Sequence, residues 1–433
     1  MKFLFKNLSP IFLIISFFLF FFVFFKSNFT FLNLNSYYKF YYLISINLIF
    51  FSLISFLFSK KTKIIIFQII IIFIISLYLF EFVLTVKNVY FNTSFKKIYK
   101  QNSEKKFDTR TQLQVYKDMK KDDNSVSIPI PPRRYLGKTT SLIPLSSISN
   151  STMIGCNEIG YYPLYESDRY GFNNNDIIWD KDLIKFLIIG DSIAFGDCVE
   201  SSKNIPSNLS RLSNQDVLNL GNRGNGPLLD YATLREYLKP NVGKIIWLYS
   251  EGNNFLDLKS EIRSDILLNY IKDQEFTQNL KFKQKIINQM AKQLIYKRAE
   301  NKKKFSIKNF IKLNASRAIF HSLYFGSTQT FELVNEMKNI FNLMNDLAIK
   351  NNSKLYFVYL PSYFRYSEKF SNQELQIVKK IINELNVPFI DIDKEFFQKQ
   401  MNPLSFFPFE KYGHYTELGY KEISQTIYKF VKD

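Results

Sequence analysis

The sequence has few cysteines and histidines, and fewer acidic than basic side chains. Two Cys and two His among 433 residues exclude a disulfide-dense scaffold, and their wide separation lacks the ligand spacing of a structural zinc site. The 57 basic residues outnumber the 38 acidic ones, for a net charge of +19. Lys, Asn, Ile, Phe and Tyr are abundant together, which indicates a general compositional bias more than a basic nucleic-acid-binding patch. We therefore predict no nucleic-acid partner and no bound metal.

Long apolar runs occur only near the N-terminus. A helix needs about 20 apolar residues to cross the hydrocarbon core, so the region 1–87 is predicted to hold three transmembrane helices. The alternative for the first run, a cleavable signal peptide, lacks the small-residue cleavage pattern. The three runs are Ile11–Phe25, Phe40–Phe58 and Ile64–Val86.

Lysines flanking these runs predict the orientation. Lys2 and Lys6 precede the first run, and Lys60, Lys61 and Lys63 lie between the second and third. Basic loops stay in the cytoplasm. Three spans then place the remainder of the chain on the extracytoplasmic side, with the lipid bilayer as a partner.

The remainder is predicted to be an arm followed by one α/β domain. Residues 88–150 are polar and contain a proline cluster, which is typical of a juxtamembrane arm or linker. In residues 151–433, short apolar runs bounded by turn residues alternate with helical stretches, which predicts a parallel sheet with helices on both faces. A helical insertion is expected at about 258–330. The five strand candidates are Leu183–Ile189, Val217–Leu220, Lys244–Tyr249, Leu355–Leu360 and Pro388–Ile392.

The residues that follow these strands carry chemistry. In doubly wound sheets, ligands bind beyond the carboxyl ends of the strands. A nucleophilic serine needs a base and donors for an oxyanion, and the strand ends offer a serine, a glycine and an amide, with a histidine near the C-terminus. The four stretches are Gly190-Asp191-Ser192, Gly221-Asn222-Arg223-Gly224, Gly252-Asn253-Asn254 and Gly413-His414.

This order of residues resembles the SGNH (GDSL) hydrolase superfamily over roughly Asn150 to the C-terminus. The resemblance implies a flavodoxin-like three-layer sandwich with a parallel five-stranded sheet and no cofactor. It also implies that Ser192 is the nucleophile and His414 the base, with Ser192, Gly224 and Asn253 forming the oxyanion hole. The stretches Cys156-Asn157-Glu158, Ser167–Asn174 and Gly196–Val199 look like a membrane-anchored bacterial branch of the superfamily. This likeness predicts a multi-pass protein of the bacterial inner (plasma) membrane with a periplasmic domain.

Two positions depart from the superfamily pattern. The acid often found three residues before the histidine is replaced by Lys411, and block three has Asn254 where Asp is usual. His414 is left with several candidate orienting groups: Glu410, another acid such as Asp391 or Asp393, or a backbone carbonyl in a Ser–His dyad. The second histidine, His321, is expected to be structural.

The two cysteines could form a disulfide. Cys156 and Cys198 both lie in the motif-rich part of the domain, and the predicted compartment permits oxidation. The bridge would tie the segment before the domain to the helix of the nucleophile. The alternative is a pair of buried free thiols.

Two functions follow from the resemblance. The first is a membrane-tethered serine esterase or O-acyltransferase that acts on acyl esters, with envelope or extracellular glycans as the expected substrates. The second is a catalytically degenerate SGNH-like envelope protein that binds glycans; Lys411 and Asn254 favour it, whereas the intact Ser192 and His414 oppose it.

Overall fold

A computed structural model describes residues 8–29, 35–101, 107–137, 140–252, 254–300, 307–317, 319, 333–367 and 371–432. The chain divides into two units. The first, here called the helical unit, contains Met1–Thr93 and Phe305–Thr328. The second, here called the α/β unit, contains Ser94–Lys304 and Gln329–Asp433.

The described residues form α-helices, short 3-10 helices and strands. The α-helices are α1 Leu8–Phe29, α2 Asn35–Ile54, α3 Lys60–Gln101, α4 Gln112–Met119, α5 Ser192–Phe195, α6 Ile205–Ser213, α7 Pro227–Tyr237, α8 Asn254–Glu261, α9 Asp265–Lys272, α10 Gln284–Glu300, α11 Ile307–Ile311, α12 Val334–Lys350, α13 Phe364–Ser367, α14 Gln373–Glu384, α15 Ile392–Glu395 and α16 Glu417–Val431. The 3-10 helices are Ser55–Leu57, Pro132–Tyr135, Asp176–Asp180, Ser201–Lys203, Leu280–Phe282, Phe397–Lys399, Pro403–Phe406 and Pro408–Glu410. The strands are β1 Thr152–Ile154, β2 Leu164–Glu166, β3 Ile184–Gly190, β4 Val217–Asn219, β5 Val242–Ser250, β6 Lys354–Leu360 and β7 Phe389–Asp391.

In the helical unit, α1 and α2 pack against each other through small polar side chains. The Ser16 and Ser52 hydroxyls lie 2.8 Å apart, and the Ser9 hydroxyl donates to the Ser55 carbonyl at 3.1 Å. Many of the large apolar side chains of these helices are exposed. Small residues at a helix contact and an apolar outer surface are typical of helices surrounded by lipid.

The described helices correct the prediction of three membrane spans. Leu8–Asn28 and Lys60–Thr85 are long and apolar enough to cross a membrane, whereas the apolar helix Tyr41–Leu57 is shorter. The apolar part of the middle run begins at Tyr41 and ends at Leu57, and its last three residues form the 3-10 helix Ser55–Leu57. The described residues therefore hold two candidate spans and one shorter apolar helix.

Part of the predicted insertion belongs to the helical unit. Glu81 of α3 is buried, and its carboxylate accepts hydrogen bonds from the Ala315 N–H at 3.0 Å and from the Ser316 N–H and hydroxyl, both at 2.7 Å. These hydrogen bonds lie within the helical unit, to which Phe305–Thr328 belongs. The expectation of a single insertion over about 258–330 is corrected, because only its first part packs in the α/β unit.

The α/β unit is built on a five-stranded parallel sheet in the order β4-β3-β5-β6-β7. This order confirms the predicted parallel five-stranded α/β fold, and it is the flavodoxin-like order 2-1-3-4-5. All four pairings are parallel, with Phe186 opposite Val217 and opposite Lys244 on the two sides of β3. From β3 the chain passes to β4 on one side and then to β5 on the other, so the strand order reverses between β3 and β5. The carboxyl ends of β3 and β5 therefore flank the switch point, where such sheets bind ligands.

Both faces of the sheet are covered. On β3, Leu187 and Ile189 belong to one buried cluster, while Phe186 and Ile188 belong to another. Alternate side chains of a strand point to opposite faces. The first cluster contains residues of α7 and α12, and the second contains residues of α6 and α16. Burial on both faces explains why the strands read as continuous apolar runs.

Residues 107–150 are not the linker that the sequence predicts. Ile128, Ile130 and Leu145 are almost fully buried in the larger cluster, and Ser127 pairs with Met153 of β1 in a parallel bridge. The neighbouring prolines concealed the burial of Ile128 and Ile130, which lie two apart along the chain. The segment is therefore part of the α/β unit, beside the small antiparallel pair β1–β2.

Candidate active site

Ser192 lies in the tight turn between β3 and α5. Asp191 caps α5: its carboxylate accepts from the Ile193 N–H and from the Ser250 hydroxyl, both at 2.9 Å. Gly190 has φ +146°, and a Cβ there would meet the Leu248 carbonyl oxygen. The turn needs glycine because a side chain would collide with β5. Ser192 is thereby held at the switch point of the sheet.

His414 reaches Ser192 from the segment before α16. Its Nε2 lies 2.9 Å from the Ser192 Oγ, which is hydrogen-bond distance, although the residues are 222 positions apart. The sequence-predicted nucleophile and base are therefore brought together by the fold. A hydroxyl at this distance from an imidazole nitrogen can pass its proton to the ring.

Glu158 holds His414 in place with both carboxylate oxygens. Its Oε1 lies 3.0 Å from the ring Nδ1, and its Oε2 accepts from the His414 backbone N–H at 2.7 Å. An acid at Nδ1 orients the ring and selects the tautomer whose Nε2 faces the serine. Ser192, His414 and Glu158 thus have the geometry of a catalytic triad.

The acids predicted from the sequence to orient His414 have other partners in the structure. Asp391 caps α15 by accepting from the Lys394 N–H, and Glu410 accepts from the Asn402 amide. Asp393 is occupied by Tyr366 and Gln398. The His414 ring is held instead by a residue about 250 positions earlier in the chain. The only sequence signal for it was the Cys156-Asn157-Glu158 stretch, which the resemblance singled out without a role.

The Glu158–His414 contact changes the titration of both groups. Burial lowers the pKa of His414, but the charge and hydrogen bonds of Glu158, with smaller effects of Asp197 and Asp191, outweigh it and raise that pKa to about 9. Burial raises the pKa of Glu158, and the charge and hydrogen bonds of His414 outweigh this effect and lower that pKa. His414 is thus stabilised in its charged form.

Two of the predicted oxyanion donors are the backbone N–H groups of Ser192 and Gly224. Within the described part of the chain, neither of them donates to a backbone carbonyl. Gly224 has φ +67°, a conformation that favours glycine. Asn253, the third predicted donor, lies outside the described residues, as does His321. Asn254 begins α8 and donates its amide to the Ser250 carbonyl.

A disulfide joins Cys156 to Cys198, with Cα atoms 4.7 Å apart. It connects the segment that carries Glu158 to the chain that follows α5. The Cys198 sulfur lies 3.4 Å from the His414 Nδ1, so the bridge is in contact with the triad. Asp197, next to Cys198, forms an ion pair with Arg223. These links connect the acid, the nucleophile's helix and the glycine loop.

The same group of atoms is the candidate metal cluster of the described residues. Ligand atoms of Cys156, Cys198 and His414 lie within 4.8 Å of one another. Zinc binds thiolates, and the two sulfurs are bonded to each other. The Nδ1 of His414 also faces Glu158. The donor set therefore suits a triad and not a metal site.

Comparisons with known proteins add little to this geometry. No protein-family model matches the sequence, and no curated protein matches it. Among solved structures, the chain is similar to one described as a lipolytic protein of the G-D-S-L family from Desulfitobacterium hafniense DCB-2. The two share 13% identity over 57% of this chain and 98% of the other, with a TM-score of 0.32. A similarity at that level carries no argument about fold or activity.

Proposed function

We propose that the chain is a membrane-tethered serine esterase or O-acyltransferase of the SGNH type. The observation that carries the proposal is the relay from the Ser192 Oγ through the His414 ring to the Glu158 carboxylate, with separations of 2.9 and 3.0 Å. A serine, an imidazole base and an orienting acid in this arrangement suit acyl transfer on any fold. The position of Ser192 at the switch point of the sheet supports the same assignment.

The proposed reaction proceeds through an acyl-enzyme. His414 Nε2 takes the Ser192 proton as Oγ bonds to the ester carbonyl carbon, and the N–H groups of Ser192 and Gly224 stabilise the oxyanion. The C–O bond to the alcohol then breaks, and the alkoxide takes the proton from Nε2. Water or an acceptor hydroxyl next gives its proton to His414 and bonds to the acyl carbon. The bond from that carbon to the Ser192 Oγ then breaks, and the Oγ takes the proton back from His414. Water gives hydrolysis; a sugar hydroxyl gives transfer.

A binding function is the second candidate, and the titration of His414 favours it. With a pKa raised to about 9, the imidazole is mainly protonated at pH 7. A protonated imidazole cannot accept the serine proton, which lowers the expected activity at neutral pH. The two functions differ in their behaviour at alkaline pH.

We place the α/β unit on the extracytoplasmic side of a bacterial inner membrane, where acylated glycans are available as substrates. The disulfide supports this side, because such bonds persist in oxidising compartments. The lysines of this region divide between two groups. With candidate spans at Leu8–Asn28 and Lys60–Thr85, Lys2 and Lys6 precede the first span, whereas Lys39, Lys60, Lys61 and Lys63 lie between the spans or begin the second. The larger group favours a cytoplasmic segment between the spans and therefore an extracytoplasmic α/β unit.

Hydrolysis of a simple aryl acetate by the full-length chain in detergent tests the activity. We expect turnover that rises with pH and is abolished by Ser192→Ala, since the nucleophile is lost. Ser202→Ala, at an exposed serine of the same unit, should retain it. Addition of a neutral oligosaccharide acceptor separates transfer from hydrolysis by the product formed. Turnover that survives in the Ser192→Ala variant would refute the assignment.

A further inference from the structure

Several arginines lie near the glycine loop that contains Gly224. Arg133 lies against Gly224: its Nε and Nη1 are 3.3 Å from the position that a Cβ on Gly224 would take. Arg134 is its neighbour in the chain, and Arg223 immediately precedes Gly224. Arg298 comes from α10, and the charges of Arg134 and Arg223 act on it. Its pKa is lowered first by partial burial and then by these two charges.

These four residues are here called the arginine cluster. The compositional bias of the chain toward lysine does not explain them. Only 11 of the 57 basic residues are arginines, so a random basic patch would consist mainly of lysines. Arg133 contacts Gly224, Arg223 precedes it in the chain, and the charges of Arg134 and Arg223 reach Arg298, so the four come from three separate segments. Arginine is the side chain that binds carboxylate and phosphate through a planar pair of donors.

The described carboxylates do not pair with all the guanidinium groups of the arginine cluster. Arg223 forms an ion pair with Asp197. The nearest carboxylate to Arg133 is Asp257, whose oxygen is 3.9 Å from Nη1 and beyond hydrogen-bond distance. The Arg133 side chain remains 55% exposed. Within the described residues, Arg134 and Arg298 form no ion pair. Like charges held together repel, so an anion bound among them would be strongly favoured.

We propose that the arginine cluster binds an anionic group of the substrate, a carboxylate or a phosphate, beside the ester that Ser192 attacks. The proposal rests on the proposed function and names its substrate class: an acylated molecule with a negative charge near the acyl group. Arg133 and Arg298 provide the free donors, and Arg223 provides positive charge from its ion-paired position. The contact of Arg133 with Gly224 puts this charge next to the oxyanion hole, so the anion and the ester must belong to one unit or to adjacent units of the substrate.

Binding to the full-length Ser192→Ala variant tests the cluster without turnover. The probes are phenyl acetate, 4-acetoxybenzoate and 4-acetoxyphenyl phosphate, titrated by ligand-observed NMR. We expect both anionic probes, or one of them, to bind more tightly than the neutral one. Adding Arg133→Gln or Arg298→Gln should lower the anionic-to-neutral affinity ratio by about tenfold, the usual effect of losing one charge-assisted hydrogen bond. Salt should lower the ratio as well.

The control is Arg263→Gln, at an exposed arginine outside the cluster, which should keep the ratio of the Ser192→Ala background. A preference for 4-acetoxybenzoate assigns the anion as a carboxylate, and a preference for the phosphate probe assigns it as a phosphate. Equal affinity for anionic and neutral probes, or a ratio that survives the Arg133→Gln/Arg298→Gln double change, overturns the proposal. Anion binding without any serine-dependent hydrolysis would instead refute the proposed function and leave the anion site standing.

Discussion

Among single residues, Glu158 has the largest effect on the proposed catalytic base. It is the group that raises the pKa of His414 to about 9 and that contacts both the ring and the backbone of that residue. A base with this pKa is protonated and inactive at neutral pH, and it becomes active as the pH rises through the pKa. We therefore expect turnover to climb toward a plateau above pH about 9.

Glu158→Gln should change both the plateau and the pH dependence. Without the carboxylate charge, only the smaller raising effects of Asp197 and Asp191 on the pKa of His414 remain against the lowering effect of burial, so the ascending limb should move to lower pH. Loss of an orienting acid costs about 10⁴ in turnover in the serine proteases, and we expect a fall of similar order. The pH–rate profile measures both effects. Glu410→Gln is the matched control, because its carboxylate accepts from Asn402; a Glu158→Gln profile equal to it would contradict the triad.

At the scale of elements, the disulfide connects the acid to the nucleophile. Cys156 is two residues before Glu158, and Cys198 follows the helix that begins at Ser192. No other covalent link holds the Glu158 segment near the sheet, so the bond is expected to position the acid as well as stabilise the fold.

The Cys156→Ser/Cys198→Ser double variant should be less stable and less active. For the separation of 42 residues, the loss of loop-closure entropy predicts a cost of about 4 kcal/mol. Thermal unfolding in detergent measures the stability, and the pH–rate profile measures the position of Glu158. We expect the ascending limb to move to lower pH, as in Glu158→Gln but by less. A lower melting temperature with an unchanged profile would mean that the bond has no positioning role.

A second contact between elements lies within the helical unit, at Glu81. Its carboxylate is the acceptor for three donors of Ala315 and Ser316. Removing an acceptor from buried donors costs about 1–3 kcal/mol for each group. Glu81→Ala should release this segment, and Glu81→Gln, which keeps one acceptor oxygen, should have a smaller effect.

Limited trypsin digestion measures that release. Cleavage after Lys312 and Arg317 should be fastest in Glu81→Ala, intermediate in Glu81→Gln and slowest in the unchanged chain. Glu336→Ala, at an exposed glutamate of α12, is the control and should digest like the unchanged chain. Equal cleavage rates in all four proteins would show that the Glu81 contact does not hold the segment.

At the scale of the whole molecule, the central prediction is the side of the membrane on which the α/β unit lies. A C-terminal alkaline phosphatase fusion, which is active only where its disulfides form, should give signal, and a fusion that is active only in the cytoplasm should give none. Replacing Lys60, Lys61 and Lys63 with Gln should weaken the preference for the extracytoplasmic side, since these lysines supply most of the positive charge between the apolar helices. The reverse pattern of signals would place the site in the cytoplasm.

The sequence predicted the sheet better than it predicted the site. Each of the five strand candidates overlaps an observed strand, because buried parallel strands are continuous apolar runs with turn residues at their ends. Ser192, Gly224 and His414 were predicted as site residues because they lie after strands or shortly before the last helix, and the structure places His414 beside Ser192. Glu158 was missed because it follows no strand of the main sheet, and its position depends on a disulfide and a long-range contact that no local pattern records. The burial of Ile128 and Ile130 was hidden by neighbouring prolines.

We propose that Ser192 is a nucleophile activated by His414 and Glu158. Labelling with a fluorophosphonate probe is the most direct test of this proposal. The account predicts one adduct, mapped by mass spectrometry to Ser192, that forms about a hundredfold faster at pH about 10 than at pH about 7, because the fraction of neutral His414 rises by that factor. The adduct should be absent in Ser192→Ala and slow in Glu158→Gln. Absence of an adduct on Ser192 at every pH, or equal labelling of the Ser192→Ala variant, would contradict it.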